Sequence, residues 1–109
     1  MKHISLKDSE NRNRKGDFAE YYAVTWLWDQ GYEVFQNSGC TGPIDMIAIK
    51  DKETTLIDVK TYHERSGSQK GQWNDCSGGG RTKQQKQLGV QILAFNPHTR
   101  GLTFIKHRT

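Results

Sequence analysis

Residues 42–61, GPIDMIAIKDKETTLIDVKT, contain the two clearest strand signals of this chain. Two runs rich in β-branched and apolar residues, Ile44–Lys50 and Thr54–Thr61, flank a polar turn centred between Asp51 and Lys52. This order of strand, short turn and strand predicts an antiparallel hairpin.

The position of the turn determines which residues of the hairpin face each other. It places Ile47 opposite Leu56 and Asp45 opposite Asp58, and directly opposed side chains share one face of the sheet with Cβ atoms ~5 Å apart. Lys60 lies two residues beyond Asp58 and therefore shares that face. The alternative is a register shifted by one residue, which would place Asp58 on the other face from Asp45. Apolar pairing favours the first register. Because both faces are apolar in the middle, we expect both to be covered.

Two opposed carboxylates beside a lysine indicate a chemical site. Like charges that face each other on a half-buried sheet repel, so the pair either shares a proton or binds a cation. A hard divalent ion such as Mg²⁺ takes oxygen ligands and keeps several waters, so one or two carboxylates are enough to hold it. A lysine beside that ion can orient or deprotonate an attacking water. Together these groups are suited to hydrolysing a phosphodiester.

The rest of the chain predicts a single α/β domain of 109 residues without internal repeats. Residues 17–30, DFAEYYAVTWLWDQ, predict a helix that Asp17 caps and Gly31 ends. Residues 1–15 are expected to form a flexible basic arm, and the Gly-rich segment 62–80 is long enough to be functional or disordered. The other predicted elements are strands at 32–36, 90–95 and 102–106 and a short helix at about 81–88, which gives the order αβββαβ plus a last strand.

Composition excludes several classes of protein. Only 33% of the residues are hydrophobic, which predicts a thin core. No apolar run is typical of a signal peptide or a membrane span, and two cysteines and four histidines show neither a disulfide framework nor zinc-ligand spacing. We therefore expect a cytoplasmic protein.

The charge is distributed unevenly along the chain. Although the net charge is +4, residues 16–59 are acidic and lie between basic segments. This pattern is expected of a cation site framed by surface that attracts polyanions, and ordinary surface variation is the alternative.

One motif resembles a known family. Gly42-x-x-Asp45, followed thirteen residues later by Asp58-Val59-Lys60, resembles the PD-(D/E)xK nuclease superfamily. Gly16-x-x-Ala19-Glu20 in the first helix and the αβββαβ order resemble it too. The proline lies two places before Asp45 rather than directly before it, and Asp58 stands where glutamate is commoner.

Two shorter stretches refine the resemblance. The chain is most similar to the short archaeal and phage-type Holliday-junction resolvases, which Asn37-Ser38-Gly39 also resembles. Thr82-x-x-Gln85 is similar to the virus-type replication-repair nuclease module. Together these similarities extend over roughly residues 14–95.

The resemblance implies a restriction-endonuclease-like fold, with a mixed central sheet flanked by helices, and a Mg²⁺-dependent nuclease in which Mn²⁺ can substitute. It implies that Asp45, Asp58 and the carbonyl of Val59 hold the metal and that Lys60 positions or activates the attacking water.

Two helical side chains complete the catalytic set. The resemblance makes Glu20 a ligand of the metal or of its water, whereas the residues alone equally allow a capping box begun by Asp17. Gln85 fits a capping box with Thr82, and in the resembled families a Gln or Lys of this helix touches the active site or DNA.

Basic and loop residues are the candidates for contacting DNA. Lys83 and Gln84 are rivals of Gln85 for the active-site position. Trp73 either stacks on a base or packs against the core, and His63 is a weaker candidate for the cleft. The predicted DNA-binding residues are Lys15, Ser38, Arg81, Lys83 and Lys86.

The sequence thus predicts a metal-dependent DNA endonuclease that prefers Holliday junctions or other branched DNA. The first helix carries more aromatic surface than one small core needs, so we expect a homodimer formed through Tyr21, Tyr22, Trp26 and Trp28. The alternatives are a restriction- or repair-type nuclease on the same fold and a non-catalytic basic module that binds nucleic acid.

Overall fold

A computed structural model describes residues 8–39, 41–61 and 80–105, with side chains described from residue 16 onward. Two helices and five strands follow one another in the predicted order. They are α1 (Asp8–Asp29), β1 (Glu33–Gln36), β2 (Met46–Lys50), β3 (Glu53–Thr61), α2 (Lys83–Leu88), β4 (Gln91–Phe95) and β5 (Leu102–Phe104).

The five strands form one mixed sheet in the order β1-β2-β3-β4-β5. Neighbouring strands are antiparallel except β3 and β4, which are parallel and are joined by the connection that contains α2. A parallel pair needs such a crossover, because a tight turn can join only antiparallel strands. The predicted α/β class with a mixed sheet is confirmed.

The register of the central hairpin is the predicted one. Ile47 pairs with Leu56, and Met46 pairs with Ile57. The register shifted by one residue is therefore excluded.

Helix α1 begins nine residues earlier than predicted, at Asp8 rather than at Asp17. The expected arm at 1–15 is thus helical from Asp8 onward. Residues 8–15 carry no apolar period to reveal a helix, but most of them tolerate helical conformation, and extending an existing helix needs no new nucleus. The C-terminal end is as predicted: Gly31 has φ 93°, and the N–H of Tyr32 donates to the carbonyl of Leu27 at 2.9 Å.

One face of the sheet and α1 enclose the core. Leu27 of α1, Met46, Ile57 and Leu93 are fully buried there. On the opposite face of the hairpin, in the described part of the chain, Ile47, Ile49 and Leu56 are only half-buried. The expectation that both faces are covered is therefore met only in part by the described residues.

The aromatic residues of α1 divide into two sets. Tyr22 packs on Phe95, with ring centroids 5.2 Å apart, and Trp26 packs near Phe104 at 6.1 Å. Tyr21 and Trp28 remain 68% and 60% exposed. The prediction that all four aromatic residues are left over from the core is wrong for Tyr22 and Trp26, because these two side chains pack against the β4–β5 hairpin.

Some predictions concern residues outside the described ranges. They include Cys40, Cys76, His63 and Trp73, all of the segment 62–80 except Gly80, and the side chain of Lys15. In the described ranges, neither helix is both long enough and apolar enough to cross a membrane.

Candidate active site

The predicted carboxylates lie at the end of the sheet where β2 begins and β3 approaches its own end. Asp45 directly precedes β2, and its backbone N–H donates to the carbonyl of Ile57 at 2.8 Å. Its carbonyl accepts from the N–H of Asn37, just after β1, at 2.9 Å. The backbone of Asp45 is therefore held from both sides.

Asn37 fixes the loop that leads into Asp45. Its Nδ2 donates to the carbonyls of Thr41, at 2.6 Å, and Ile44, at 2.9 Å. Its Oδ1 accepts from the N–H of Gly39 at 3.0 Å. This positioning role was missing from the predicted site, although an Asn that opens a Ser-Gly turn is a residue type that bonds to nearby backbone.

The two predicted carboxylates lie together. Oδ2 of Asp45 accepts from the N–H of Val59 at 2.7 Å, and the Asp45 side chain also hydrogen-bonds to that of Asp58. Nζ of Lys60 forms an ion pair with Oδ2 of Asp58 at 3.1 Å. The side chains of Asp58 and Lys60 are only 13% and 17% exposed, so this contact is largely shielded from water.

Asp45 binds a proton more tightly than an ordinary aspartate because its side chain is partly buried. The pKa of Asp45 is raised to about 7, first because burial desolvates the carboxylate and second because its side chain hydrogen-bonds to that of Asp58. The N–H of Val59 acts in the opposite direction, because it stabilises the carboxylate form. A raised pKa of Asp45 favours its protonated form beside Asp58, and a shared proton was one of the two predicted ways to relieve the repulsion.

Glu20 contributes negative charge from α1. Partial burial raises the pKa of Glu20, and the charges of Asp17 and Asp58 raise it further. Glu20 in turn raises the pKa of Asp45. Because α1 begins at Asp8, Asp17 is not a helix cap, and the capping-box interpretation of Glu20 is excluded.

Gln85 of α2 makes the predicted capping-box bonds and also contacts a member of the carboxylate pair. Its backbone N–H and Oε1 form the capping box with Thr82, at 3.1 and 3.0 Å. Its Nε2 donates to Oδ2 of Asp58 at 3.0 Å and to the carbonyl of Pro43 at 2.9 Å. Gln85 is 5% exposed, whereas its rivals Lys83 and Gln84 are exposed, so the structure favours Gln85.

The donor set of the site fits a divalent cation. Asp45 and Asp58 present adjacent carboxylates, and a bound cation would replace the shared proton and relieve the repulsion. Within residues 8–39, 41–61 and 80–105, no three His, Cys, Asp or Glu side chains converge on one point that could hold an ion. The geometry thus centres on a carboxylate pair, and a direct ligand role for Glu20 stays a prediction.

The predicted DNA-binding residues differ in their exposure and in their contacts. Lys83 and Lys86 are exposed on α2, and Ser38 is exposed in the turn after β1. Arg81 has a structural contact, because its Nη1 donates to the carbonyl of Val90 at 3.2 Å. Lys15 lies on α1.

Comparison with known proteins bears on this site. No curated protein matches the chain. Among solved structures, the fold is similar to that of a bacterial homing endonuclease, I-Ssp6803I, with a TM-score of 0.58 and 14% sequence identity. The similarity covers 84% of this chain and 62% of that endonuclease, so this chain spans about three-fifths of its length. At this level of identity the similarity shows the fold alone.

The sequence pattern of the nuclease-related domain, abbreviated NERD, matches residues 15–103. This range contains Glu20, the carboxylate pair, Lys60 and Gln85. Since the match extends over most of the chain, the protein belongs to the nuclease-related domain family.

Proposed function

We propose that this protein is a Mg²⁺-dependent endodeoxyribonuclease that acts on Holliday junctions or other branched DNA. The observation that carries the proposal is the shielded pair Asp45 and Asp58, with Lys60 in contact with one member. A site that raises the proton affinity of one carboxyl also favours a bound cation, because both neutralise the same repulsion.

The residues have distinct roles in the proposed reaction. Asp45, Asp58 and the carbonyl of Val59 would hold Mg²⁺, for which Mn²⁺ can substitute. When bound, the ion would supply positive charge that stabilises the negative charge developing on the phosphate oxygens. Lys60 positions the attacking water from its place beside Asp58. Glu20, whose raised pKa reflects burial and neighbouring negative charge, assists by accepting a hydrogen bond or a proton from that water.

Gln85 is a positioning residue in this proposal. Its Nε2 holds Asp58 and the loop carbonyl of Pro43 at the same time, so it links β3 to the segment that carries Asp45. The separation of the two carboxylates therefore depends on α2.

Preference for branched DNA is supported by the resemblance to junction resolvases at Asn37-Ser38-Gly39 and by the basic segments on either side of the acidic stretch. A junction-cutting enzyme must act on two strands, which a homodimer allows. Tyr21 and Trp28, exposed on α1, are the remaining candidates for that interface.

The proposal is tested by cleavage of a substrate panel. Four-way junctions, flaps, nicked duplex and linear duplex of equal length are incubated with the protein in EDTA, Mg²⁺ or Mn²⁺. We expect cleavage only with a divalent ion, and fastest on the junction. Equal rates on all substrates would indicate a restriction- or repair-type nuclease, and cleavage in EDTA would refute the metal site.

DNA binding in EDTA separates the enzyme from a mere binding module. We expect affinity to fall with rising salt, by about 0.9 log unit per log unit of salt for each neutralised phosphate. Salt-dependent binding without cleavage in any divalent ion would favour the non-catalytic alternative.

A further inference from the structure

We infer that Arg100, in the turn Asn96–Gly101 between β4 and β5, contacts a DNA phosphate beside the carboxylate site. This inference rests on the proposed nuclease function and adds a positioning residue to it. None of the predicted DNA-binding residues lies in this turn.

Sheet topology brings the turn to the same end of the sheet as the carboxylate pair. In the parallel β3–β4 register, Lys60 pairs with Ala94 and Thr61 with Phe95, so the turn begins directly after the register position of Thr61. Asn96 is therefore two residues, roughly 7 Å along the strand, beyond the position opposite Lys60. Duplex DNA carries a phosphate about every 3.4 Å of axis on each strand, so a duplex that lies across this end of the sheet would bring phosphates within a few ångströms of the turn.

The turn is held in one conformation by its own hydrogen bonds. Oδ1 of Asn96 accepts from the N–H groups of His98, at 2.9 Å, and Thr99, at 3.3 Å. The carbonyl of Asn96 accepts from the N–H of Arg100 at 2.7 Å, and its N–H donates to the carbonyl of Gly101 at 2.9 Å. These bonds maintain Arg100 at φ 63°, a left-handed conformation that residues with a side chain rarely adopt.

The Arg100 side chain is also held. Its guanidinium carbon lies 5.0 Å from the ring centroid of Phe18 and 5.3 Å from that of Tyr22. Its Nη1 donates to the hydroxyl of Tyr22 at 2.9 Å. Both rings belong to α1, and the Phe18 ring also meets that of Phe95 at 6.0 Å. The orientation of the guanidinium is thus largely determined before any ligand binds.

The charge of Arg100 has no protein counter-ion in the part of the chain that the structure describes. The ion pair found there joins Lys60 to Asp58, and Arg100 is exposed. A guanidinium has five N–H donors, and the contact with Tyr22 uses one of them. The remaining N–H groups lie along the edges of the planar guanidinium, which match the geometry of a phosphate.

A purely structural role would need only the ring contacts. Stacking and the Tyr22 bond attach the β4–β5 turn to α1, and they would do so without any ligand. The two roles make different demands on DNA binding. If Arg100 contacts a phosphate, binding requires its positive charge and its planar guanidinium group. If Arg100 only fastens the turn to α1, binding requires only that the protein stays folded.

The test compares two variants that remove one positive charge each, Arg100→Gln and Lys52→Gln. Lys52 is a matched control because it is exposed, also has positive φ, and lies in the β2–β3 turn at the opposite end of the sheet. Binding to fluorescent duplex and four-way junction is measured by anisotropy in EDTA over a range of salt. We expect Arg100→Gln to weaken binding roughly tenfold and to lower the salt slope by about 0.9, and Lys52→Gln to change affinity less than twofold.

Arg100→Lys serves as a variant that should stay folded, because lysine keeps a positive charge near the rings. It lacks the planar guanidinium group that can bind a phosphate through two N–H donors. We expect its melting temperature to stay near that of the wild type, its salt slope to be kept and its affinity to fall severalfold. If Arg100→Gln unfolds, this variant decides. Wild-type affinity in Arg100→Lys, or equal effects of Arg100→Gln and Lys52→Gln, would overturn the inference. If the wild type binds DNA through Arg100 yet cuts nothing, the nuclease proposal fails while the phosphate contact stands.

Discussion

The proton on Asp45 links stability to the chemistry of the site. Burial raises the pKa of Asp45 to about 7, from an ordinary value of 3.8. A carboxyl whose pKa is higher in the folded state binds its proton more tightly there, so the free energy of unfolding falls as pH rises from about 4 to about 7. Glu20 acts in the same direction, since its pKa is also raised.

Asp45→Asn tests this linkage. The amide can donate to Asp58 and accept from Val59, as protonated Asp45 does, but it does not titrate. In EDTA we expect the wild-type melting temperature to be lower at pH 8 than at pH 5 and the dependence to be clearly weaker in Asp45→Asn. At pH 8 the variant should be the more stable protein. Cleavage should fall at least about a hundredfold, because a metal ligand is lost.

The control for that experiment is Asp51→Asn, which changes an exposed carboxylate in the β2–β3 turn. It should keep the wild-type pH dependence. An unchanged pH dependence in Asp45→Asn as well would show that the raised pKa does not govern stability.

Asp58→Asn tests the contribution of the second carboxylate of the pair. Asp58 is the partner of Lys60, so the variant relieves repulsion with Asp45 but leaves a shielded ammonium without its counter-ion. We therefore expect no gain in stability in EDTA, in contrast to Asp45→Asn at pH 8. Mg²⁺ at a hundred times its Kd should stabilise the wild type by ~2.7 kcal/mol and the variant much less. Equal thermal shifts in calorimetry, or retained cleavage, would exclude these aspartates as the metal site.

At the scale of elements, α2 couples its own stability to the carboxylate site. Its six residues are too few to form a stable isolated helix, so its two end structures, the capping box and Gly89 with φ 77°, are needed. Gln85 belongs to the capping box and also holds Asp58 and Pro43. A shift of α2 would therefore move one carboxylate relative to the other.

The two functions of Gln85 can be separated by comparing Gln85→Ala with Thr82→Ala. Each variant removes one of the two capping-box bonds: Thr82→Ala removes the acceptor of the Gln85 N–H, and Gln85→Ala removes the acceptor of the Thr82 N–H. Loss of the Thr82 cap should cost about 1 kcal/mol. Only Gln85→Ala also removes the bonds to Asp58 and Pro43. We expect both to lower the melting temperature, and Gln85→Ala alone to lower kcat by about tenfold or more. Similar kcat losses in the two variants would indicate that helix stability, not the bond to Asp58, affects cleavage.

At the scale of the whole molecule, α1 has one side in the core and another side exposed. Tyr22 and Trp26 contact the β4–β5 hairpin, whereas Tyr21 and Trp28 lie seven residues apart on the exposed side. Residues at this spacing share one face of a helix. If the protein is a homodimer, an isologous contact through this face is the arrangement we expect.

Trp28→Glu should then give a folded monomer, with sedimentation velocity as the measurement. Trp26→Glu is its contrast: Trp26 packs near Phe104, so a charge there should lower the melting temperature strongly. A wild-type protein that sediments as a monomer at micromolar concentration would contradict the proposed dimer.

The central hairpin and its register follow from local sequence patterns. Strand alternation has a period of two and the turn spans two residues, so a local pattern was sufficient to pair Ile47 with Leu56 and to bring Asp45 to Asp58. The C-terminal end of α1 at Gly31 was predictable for the same reason, because a left-handed residue after a helix is a local signal.

Tertiary structure alone decided the remaining features. The start of α1 at Asp8 carries no apolar period, and the burial of Tyr22 and Trp26 depends on a hairpin some seventy residues further along the chain. Gln85 reaches Pro43 across 42 residues, and Arg100 reaches Tyr22 across 78. Sequence periodicity predicts only which residues lie close together within about one helical turn or along one strand. Contacts between distant segments, and the pKa shifts that burial causes, depend on how the elements pack.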